Sequence, residues 1–319
     1  MKILVTGASG FLGSYLSMRL LDEGNDVISI KHDDTPMNPA KALGIEKQVT
    51  WCKGDILNAN LVKRVIADYE IELVYHLAAL PIVQVGLRTT VPMFETNLMG
   101  TLNVLEALKE EHLMAGYDIP LVHMSTDKVY GMTDWGRKYL ETDPLNAEIP
   151  YEASKACADI AVRTYKSSGY IKRASVVRPS NIYGPGDMNN RIIPNTIRFC
   201  LQRKPPQLWK NYTYVREYTF VDDWVDAMES IAKFTFTTGG DIFNIGSAVS
   251  KTQGEVISEV SKHFKLTPIT VEPPDYTKKE IPYQALDHSK VNTVVGWSAK
   301  TSFENGIEET VKWWKQKRF

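Results

Sequence analysis

The eight residues Thr6-Gly7-Ala8-Ser9-Gly10-Phe11-Leu12-Gly13 constrain this chain more than any other stretch. They follow a short apolar run, Lys2–Thr6, and open a segment, Phe11–Asp22, in which Phe11, Leu12, Leu16, Leu20 and Leu21 recur at helical spacing. Glycines spaced G-x-x-G-x-x-G allow a tight turn and a close approach of ligand to backbone. The free amide groups and dipole of the following helix then favour a pyrophosphate. The spacing alone is a weak signal, and a plain tight turn is the alternative; its place between an N-terminal strand and a helix makes it a dinucleotide-binding turn.

The alternation continues. Val27–Ile30, Val49–Lys53, Leu73–Leu77, Leu121–Met124 and Ala174–Arg178 read as strands, and Leu57–Tyr69, Val91–Glu111 and Tyr151–Ser167 as helices. Strands separated by helices predict an α/β fold with a doubly wound, Rossmann-type parallel sheet covered on both faces. After Arg178 the chain turns rich in proline (Pro179, Pro185, Pro194, Pro205 and Pro206), with a short helix near Asn195–Gln202. Loops of this kind after a regular sheet carry binding groups. The chain is expected to return to the sheet at Thr219–Lys233 and Asp241–Ile245, and to end in mixed helix and loop. Two lobes interleaved in sequence follow: residues 1–179 and 219–246 for the dinucleotide, and a smaller mixed lobe, 180–218 and 247–319, for substrate.

Length and charge narrow the partners. At 319 residues the chain can bury a large core, and a formal net charge of -1 gives no electrostatic reason to expect nucleic acid or an anionic membrane. Cys52, Cys157 and Cys200 are widely spaced and fit no metal pattern, and His76, His123 and His288 lack ligand spacing, so no metal is expected. With no room for a signal peptide before the first strand and no apolar run long enough to span a bilayer, a soluble, cytoplasmic protein is expected. The Trp313-Trp314 pair within Lys312–Arg318 suits a packed C-terminal helix better than a membrane-touching tail.

The end of the second strand should meet the adenosine ribose. It reads Ile30-Lys31-His32-Asp33-Asp34. Lys31 and His32 would suit the 2'-phosphate of NADP, whereas Asp33 on a free 2'-hydroxyl would suit NAD; Lys31 tips the reading to NADP. Asp55, at the end of the third strand, would cap a helix or reach the adenine.

Two clusters carry chemistry: Ser125-Thr126-Asp127-Lys128, directly after a strand, and Tyr151 with Lys155, four apart and so on one face of a helix. A nearby ammonium favours the phenolate and would prepare Tyr151 as a general base. Asp127 could instead cap a helix and Lys128 simply pair with it.

With these motifs the chain resembles the extended short-chain dehydrogenase/reductase family of nucleotide-sugar epimerases and dehydratases. The likeness rests on the glycine turn, Lys-Gly-Asp-Ile at 53–56, His-Leu-Ala-Ala at 76–79, Thr-Asn-Leu-Met-Gly-Thr at 96–101, Tyr-Glu-Ala-Ser-Lys at 151–155 and Arg-Pro-Ser-Asn-Ile-Tyr-Gly-Pro-Gly at 178–186. Arg216-Glu-Tyr-Thr-Phe-Val-Asp-Asp, Phe243-Asn-Ile-Gly-Ser and Leu286-Asp-His-Ser-Lys extend it over essentially the whole chain.

The resemblance implies a cofactor site made by Gly7, Ser9, Gly10, Phe11, Leu12, Gly13, Lys31, His32, Asp55, Ile56, Leu77, Ala78, Ala79, Tyr151 and Lys155. It implies that Thr126 holds the sugar 4-hydroxyl while Tyr151 takes its proton. Asp-Lys after the Thr is similar to 4,6-dehydratases, the CDP-glucose branch included, where epimerases carry small or neutral residues. Asp127 would then be the acid for the departing 6-hydroxyl and Lys128, in its neutral form, the base at carbon 5. Asn181, Arg191 and Arg216 would bind the nucleotide sugar, the arginines through its diphosphate, although Arg191 also suits a surface ion pair. An arginine common before the late Asp-x-Ser-Lys is absent, since Tyr283-Gln284 precede Ala285-Leu286-Asp287. Helices 92–111 and 151–167 would make the four-helix contact of a homodimer. A 4-epimerase, a dehydratase eliminating elsewhere on the sugar, and a catalytically silent NAD(P)-binding sensor are the alternatives.

Overall fold

Seven strands, every neighbouring pair parallel, form the central sheet of the computed structural model, which describes residues 1–34, 38–81, 89–132, 136–210, 213–272 and 281–317. They are β1 (Lys2–Thr6), β2 (Asp26–Lys31), β3 (Thr50–Lys53), β4 (Leu73–His76), β5 (Leu121–Met124), β6 (Ala174–Pro179) and, after three strands outside the sheet, β10 (Ile242–Ile245). Their order is β3-β2-β1-β4-β5-β6-β10. The direction of winding reverses between β1 and β4, and in such sheets the crevice beyond the carboxyl ends at that point takes the ligand. β4, β5 and β6 are buried at every residue, as a parallel sheet covered on both faces requires.

On one face lie α1 (Phe11–Asp22) and α6 (Val221–Thr238); on the other lie α2 (Ala59–Asp68), α3 (Gly100–Glu110) and α4 (Pro150–Ser167), while α8 (Phe303–Lys317) packs on the later strand Val215–Phe220. The expected long helix over 91–111 is continuous but irregular. Thr90–Phe94 passes through a π turn, Glu95–Met99, into α3, and single π turns of this kind recur at functional sites. The short helix expected near 195–202 is α5 (Ile192–Leu201), and α7 (Gln253–Lys262) packs beside it.

One expectation needs correction. Thr219–Lys233 does not return to the sheet: after two strand residues it enters α6, because Val221, Trp224, Val225, Met228, Ile231 and Ala232 line one helical stripe. Asp222 and Asp223 stand in its first turn, where negative charge suits the helix dipole. Asp223 also accepts from the Lys300 and Thr301 amides, tying α6 to the segment before α8.

A second sheet gathers around β9 (Val215–Phe220). β7 (Asn181–Tyr183) and β13 (Tyr283–Gln284) pair with it in parallel, and β11 (Ser250–Thr252) antiparallel. β8 (Gln207–Trp209) and β12 (Ile269–Val271) make a separate parallel pair. The assigned lobe boundary at 219 thus falls inside β9, and parts of the assigned substrate lobe, 273–280 and 318–319, lie outside the described residues. Trp314 is buried beneath the Arg198 guanidinium, so the C-terminal pair packs on the body; Arg318 of that segment is outside the described residues. Among the described residues no helix is long and apolar enough to cross a membrane, and no group of three or more His, Cys, Asp or Glu side chains could hold a metal.

Candidate active site

The glycine turn closes on itself at the switch point. Gly10 N donates to Gly7 O at 3.0 Å, and Gly7 has φ +78°. A Cβ on Gly13 would lie 2.2 Å from Gly7 O, and one on Gly7 would lie 3.0 Å from Ala78 N, so the turn packs backbone against backbone. Gly10 gives α1 no side-chain cap and the first turn holds no acid, which leaves its amide donors open to an anion. Thr6 Oγ1 accepts from both Leu77 N and Ala78 N at 3.1 Å and contacts His76 Nδ1 at 2.8 Å. This fixes the end of β4 against β1. Of the other residues read for this site, Phe11 is buried in the core, its ring edge-on to Tyr15, whereas Ser9, Leu12 and Ala79 are half-buried. These bare glycines and uncapped amides fit the pyrophosphate of a dinucleotide.

The adenosine end differs from the sequence reading. Lys31 Nζ is held by Glu46 and by Asp34 at 3.0 Å, and lies 4.9 Å above the Trp51 ring. His32 bridges Asp33 at 2.9 Å and Asp55 at 3.1 Å. Asp55 does not cap α2: Asn58 does, accepting from Leu61 N, while Asp55 folds its own turn by accepting from Leu57 N. Ile56 packs under Gly100, where a Cβ would meet it at 2.8 Å.

The reactive groups gather where β5 ends. Thr126 leaves the strand extended and caps a short 3-10 turn, Asp127–Tyr130, with its Oγ1 accepting from Lys128 N at 3.4 Å and donating to Asp127 Oδ1 at 3.1 Å. Asp127 is only 4% exposed, and its Oδ2 has no partner among the described residues. Burial pushes its carboxyl above the usual range, against the pull of Lys128, the Thr126 bond and Arg216. The Tyr151 phenol is brought over by α4 to the neighbourhood of the Thr126 hydroxyl.

The reading of Lys155 as the cation that lowers Tyr151 is not met in this structure. Lys155 Nζ donates to the Met124 carbonyl, and burial brings it down to about 8. Tyr151 is pushed up by burial, and the cation acting against that is Arg191. Arg191 precedes α5 and donates to Ile182 O at 3.4 Å, with no ion pair among the described residues, so its alternative as a salt-bridge partner is not realised. Arg216 donates to the Val215 carbonyl and lies near enough to Asp127 to favour its charged form. Asn181 Nδ2 is spent on the Glu217 carbonyl at 3.1 Å.

A buried frame holds this group in place. Asp159 on α4 takes two hydrogen bonds from Arg178 on β6, at 2.8 and 3.0 Å, and one from Ser125 at 3.0 Å. Arg178 in turn donates to Tyr130 OH, which donates to Asn244 on β10. The residue before Thr126 and the last residue of the 3-10 turn are thus bolted to two neighbouring strands.

Three further residues belong to the site. Gln284, fully buried, accepts from Lys128 Nζ at 3.5 Å, and its own Nε2 has no partner among the described residues. It pairs in register with Arg216, a neighbour that only the second sheet creates. Glu152 is buried, its carboxyl raised by that burial and favoured in charged form by Lys128. Asn97, in the π turn, holds Leu80 N at 2.7 Å and Ser154 Oγ at 2.9 Å. It stood inside a quoted motif; the signal missed was the helix irregularity that turns it inward.

Known proteins share this chain's sequence and shape. Residues 3–246 match the model of the NAD dependent epimerase/dehydratase family. A dTDP-glucose 4,6-dehydratase of Mycolicibacterium smegmatis is 30% identical over 321 residues, 99% of this chain and 93% of that protein. The structure of DesIV, a dTDP-glucose 4,6-dehydratase from Streptomyces venezuelae with NAD bound, superposes with a TM-score of 0.88 at 26% identity, covering 100% of this chain and 98% of that one. A Thermus thermophilus UDP-glucose 4-epimerase in complex with NAD superposes at 0.86 with 27% identity, covering 99% of each chain. Backbone shape does not separate the two activities.

Proposed function

The chain belongs to the NAD dependent epimerase/dehydratase family, and from that membership we propose that it is a nucleotide-sugar 4,6-dehydratase, converting an NDP-hexose to an NDP-4-keto-6-deoxyhexose. The observation that carries this is the buried Asp127, hydrogen-bonded to Thr126 beside Tyr151 and followed by Lys128 on Gln284. An epimerase has no use for an acid and a base at that place.

Gly7, Gly10, Gly13 and the α1 amides would hold the pyrophosphate of NAD or NADP, with Leu77, Ala78 and Ala79 along the crevice; the cofactor would supply the acceptor for the hydride of carbon 4 and the donor of that hydride to carbon 6. Lys31, the ground for favouring NADP, is already engaged by two carboxylates, so NAD is the better reading. Tyr151 receives the proton of the 4-hydroxyl, which Thr126 orients. The 4-ketone acidifies carbon 5. Lys128 takes the carbon-5 proton, the bond between carbon 6 and its hydroxyl breaks, and Asp127 supplies the proton that makes the departing group water. Lys128 then returns its proton to carbon 5. Lys155, anchored on the Met124 carbonyl, would help hold the cofactor. Arg191 and Arg216 hold the diphosphate, and residues 180–218 and 247–319 supply the substrate lobe.

Incubation with dTDP-glucose, UDP-glucose and CDP-glucose should release water from at least one, read by mass spectrometry, and Lys128→Ala should abolish it. Formation of the 4-epimer without loss of water, undisturbed by Lys128→Ala, would overturn the reading. A homodimer through α3 and α4 is part of the proposal, supported by the exposed Val91, Met99 and Ile160; a monomer by light scattering would remove it. Free cysteines at 52, 157 and 200 suit a reducing cytoplasm.

A further inference from the structure

Counting protons through the proposed cycle exposes a debt that the reaction itself does not settle. To take the proton of the 4-hydroxyl, Tyr151 must begin the cycle as phenolate, and it ends as phenol because the product keeps its 4-ketone. Asp127 begins as the acid and ends as carboxylate, its proton lost in the water. Lys128 gains one proton and returns it. The substrate has become product and water, yet the enzyme has not returned to its starting state. One proton must pass from Tyr151 to Asp127 in every turnover. A 4-epimerase has no such need, since its tyrosine gives the proton back to the 4-oxygen.

The route is built into the site. Thr126 Oγ1 donates to Asp127 Oδ1 at 3.1 Å, and the Tyr151 phenol lies beside the same hydroxyl. Thr126 and Asp127 are buried, which removes bulk water as a ready carrier. We propose that Thr126 is the proton relay that resets the enzyme, passing its hydroxyl proton to Asp127 while taking one from Tyr151. Before reaction the chain runs from protonated Asp127 through Thr126 to the phenolate; after reaction it runs the opposite way, and reversing it forms one O–H bond and breaks one at each oxygen along the line. A half-turn of the carboxyl about its Cβ–Cγ bond then presents the new proton on the side of Oδ2, the oxygen with no partner among the described residues. A hydroxyl both accepts and donates, so serine serves as well and valine, of like shape, does not.

This inference rests on the dehydratase reading, and its test separates the two. Wild type, Thr126→Val and Thr126→Ser are mixed rapidly with dTDP-glucose, UDP-glucose or CDP-glucose, and product per active site is followed by quenching and mass spectrometry. In Thr126→Val the ratio of later turnovers to the first should fall at least about tenfold below that of wild type, the scale of one lost proton transfer, leaving a burst near one product per site; Thr126→Ser should keep the wild-type ratio. The wild-type steady state in mixtures of light and heavy water should show more than one proton in flight. First and later turnovers slowed equally in Thr126→Val would show that Thr126 only holds the 4-hydroxyl and would overturn the relay. Should that variant fail to fold, a strictly one-proton response of wild type would overturn it instead. No loss of water by wild type from any of the three substrates would sink the dehydratase reading itself, and the relay with it.

Discussion

Replacing Asp159 by asparagine should be the most damaging conservative change in the chain. Asp159 is fully buried and Arg178 is 1% exposed; the carboxylate meets the guanidinium side-on, with Nε at 2.8 Å and Nη2 at 3.0 Å. It also accepts from Ser125 at 3.0 Å and forms an ion pair with Arg163 at 2.9 Å. An amide of the same shape offers one acceptor and turns two N–H donors toward groups that are themselves donors. Arg178 stays charged and buried without a counter-charge, keeping the amide oxygen, Tyr130 OH and the Glu141 carbonyl. Breaking one partner of a buried pair costs about 3–5 kcal/mol. The Arg163 contact adds little, since that side chain is 40% exposed. For a chain of this length each kcal/mol moves the melting temperature by about 2 °C, so Asp159→Asn should melt about 6–10 °C lower. Circular dichroism melts, with urea midpoints as a second measure, read this directly. Asp159→Leu combined with Arg178→Met removes both charges and should recover to within about 2 kcal/mol of wild type. A loss under about 1 kcal/mol in the single variant, or no recovery in the double, would refute the reasoning that an uncompensated charge is the cause.

Gly13→Ala should weaken dinucleotide binding by about 1–3 kcal/mol, or five- to hundredfold, because the added methyl meets the Gly7 carbonyl and the backbone must shift; calorimetric titration with NAD and with NADP measures it and also ranks the two. Gln284→Glu replaces the amide oxygen that accepts from Lys128 with a carboxylate that pairs with the ammonium; loss of water should slow at least about tenfold, which an unchanged rate would contradict. Glu229, raised to about 7 by burial and by Glu23, binds a proton when folded that the unfolded chain has lost above its ordinary 4.5. Native stability therefore falls as pH rises between those values. Glu229→Gln should flatten that slope in melts at pH 5 and pH 8.

The central sheet was readable because most of its strands are apolar runs bounded by turn residues, β3 at the edge being the exception, and the covering helices carry apolar stripes. Thr219–Lys233 was misplaced because Tyr218-Thr219-Phe220-Val221 is strand-like and the helical stripe begins only at Val221. Of the site, the groups carried by one local element were visible: Thr126, Asp127 and Lys128 on a strand end, Tyr151 and Lys155 on one helix. Gln284 was not, since a two-residue strand has no periodicity and its meaning comes from lying across β9 beside Arg216. The electrostatics were misjudged for the same reason. Spacing placed Lys155 under Tyr151, but only packing shows its ammonium turned to the Met124 carbonyl and Arg191 arriving from another segment.

β9 also limits how such a protein can be taken apart or recombined. Its first half is flanked by β11 on one edge and β13 on the other, and Glu217 within it accepts from the amides of Ala248 and Leu286 and meets His288 at 2.9 Å. A chain cut at residue 246, where the family match ends, would strip both edges from the strand that carries Arg216 and leave the Glu217 carboxylate without its partners. Exchanging substrate preference with a relative therefore means transplanting at least four separated segments around β9 together; no single contiguous cassette carries that face of the site.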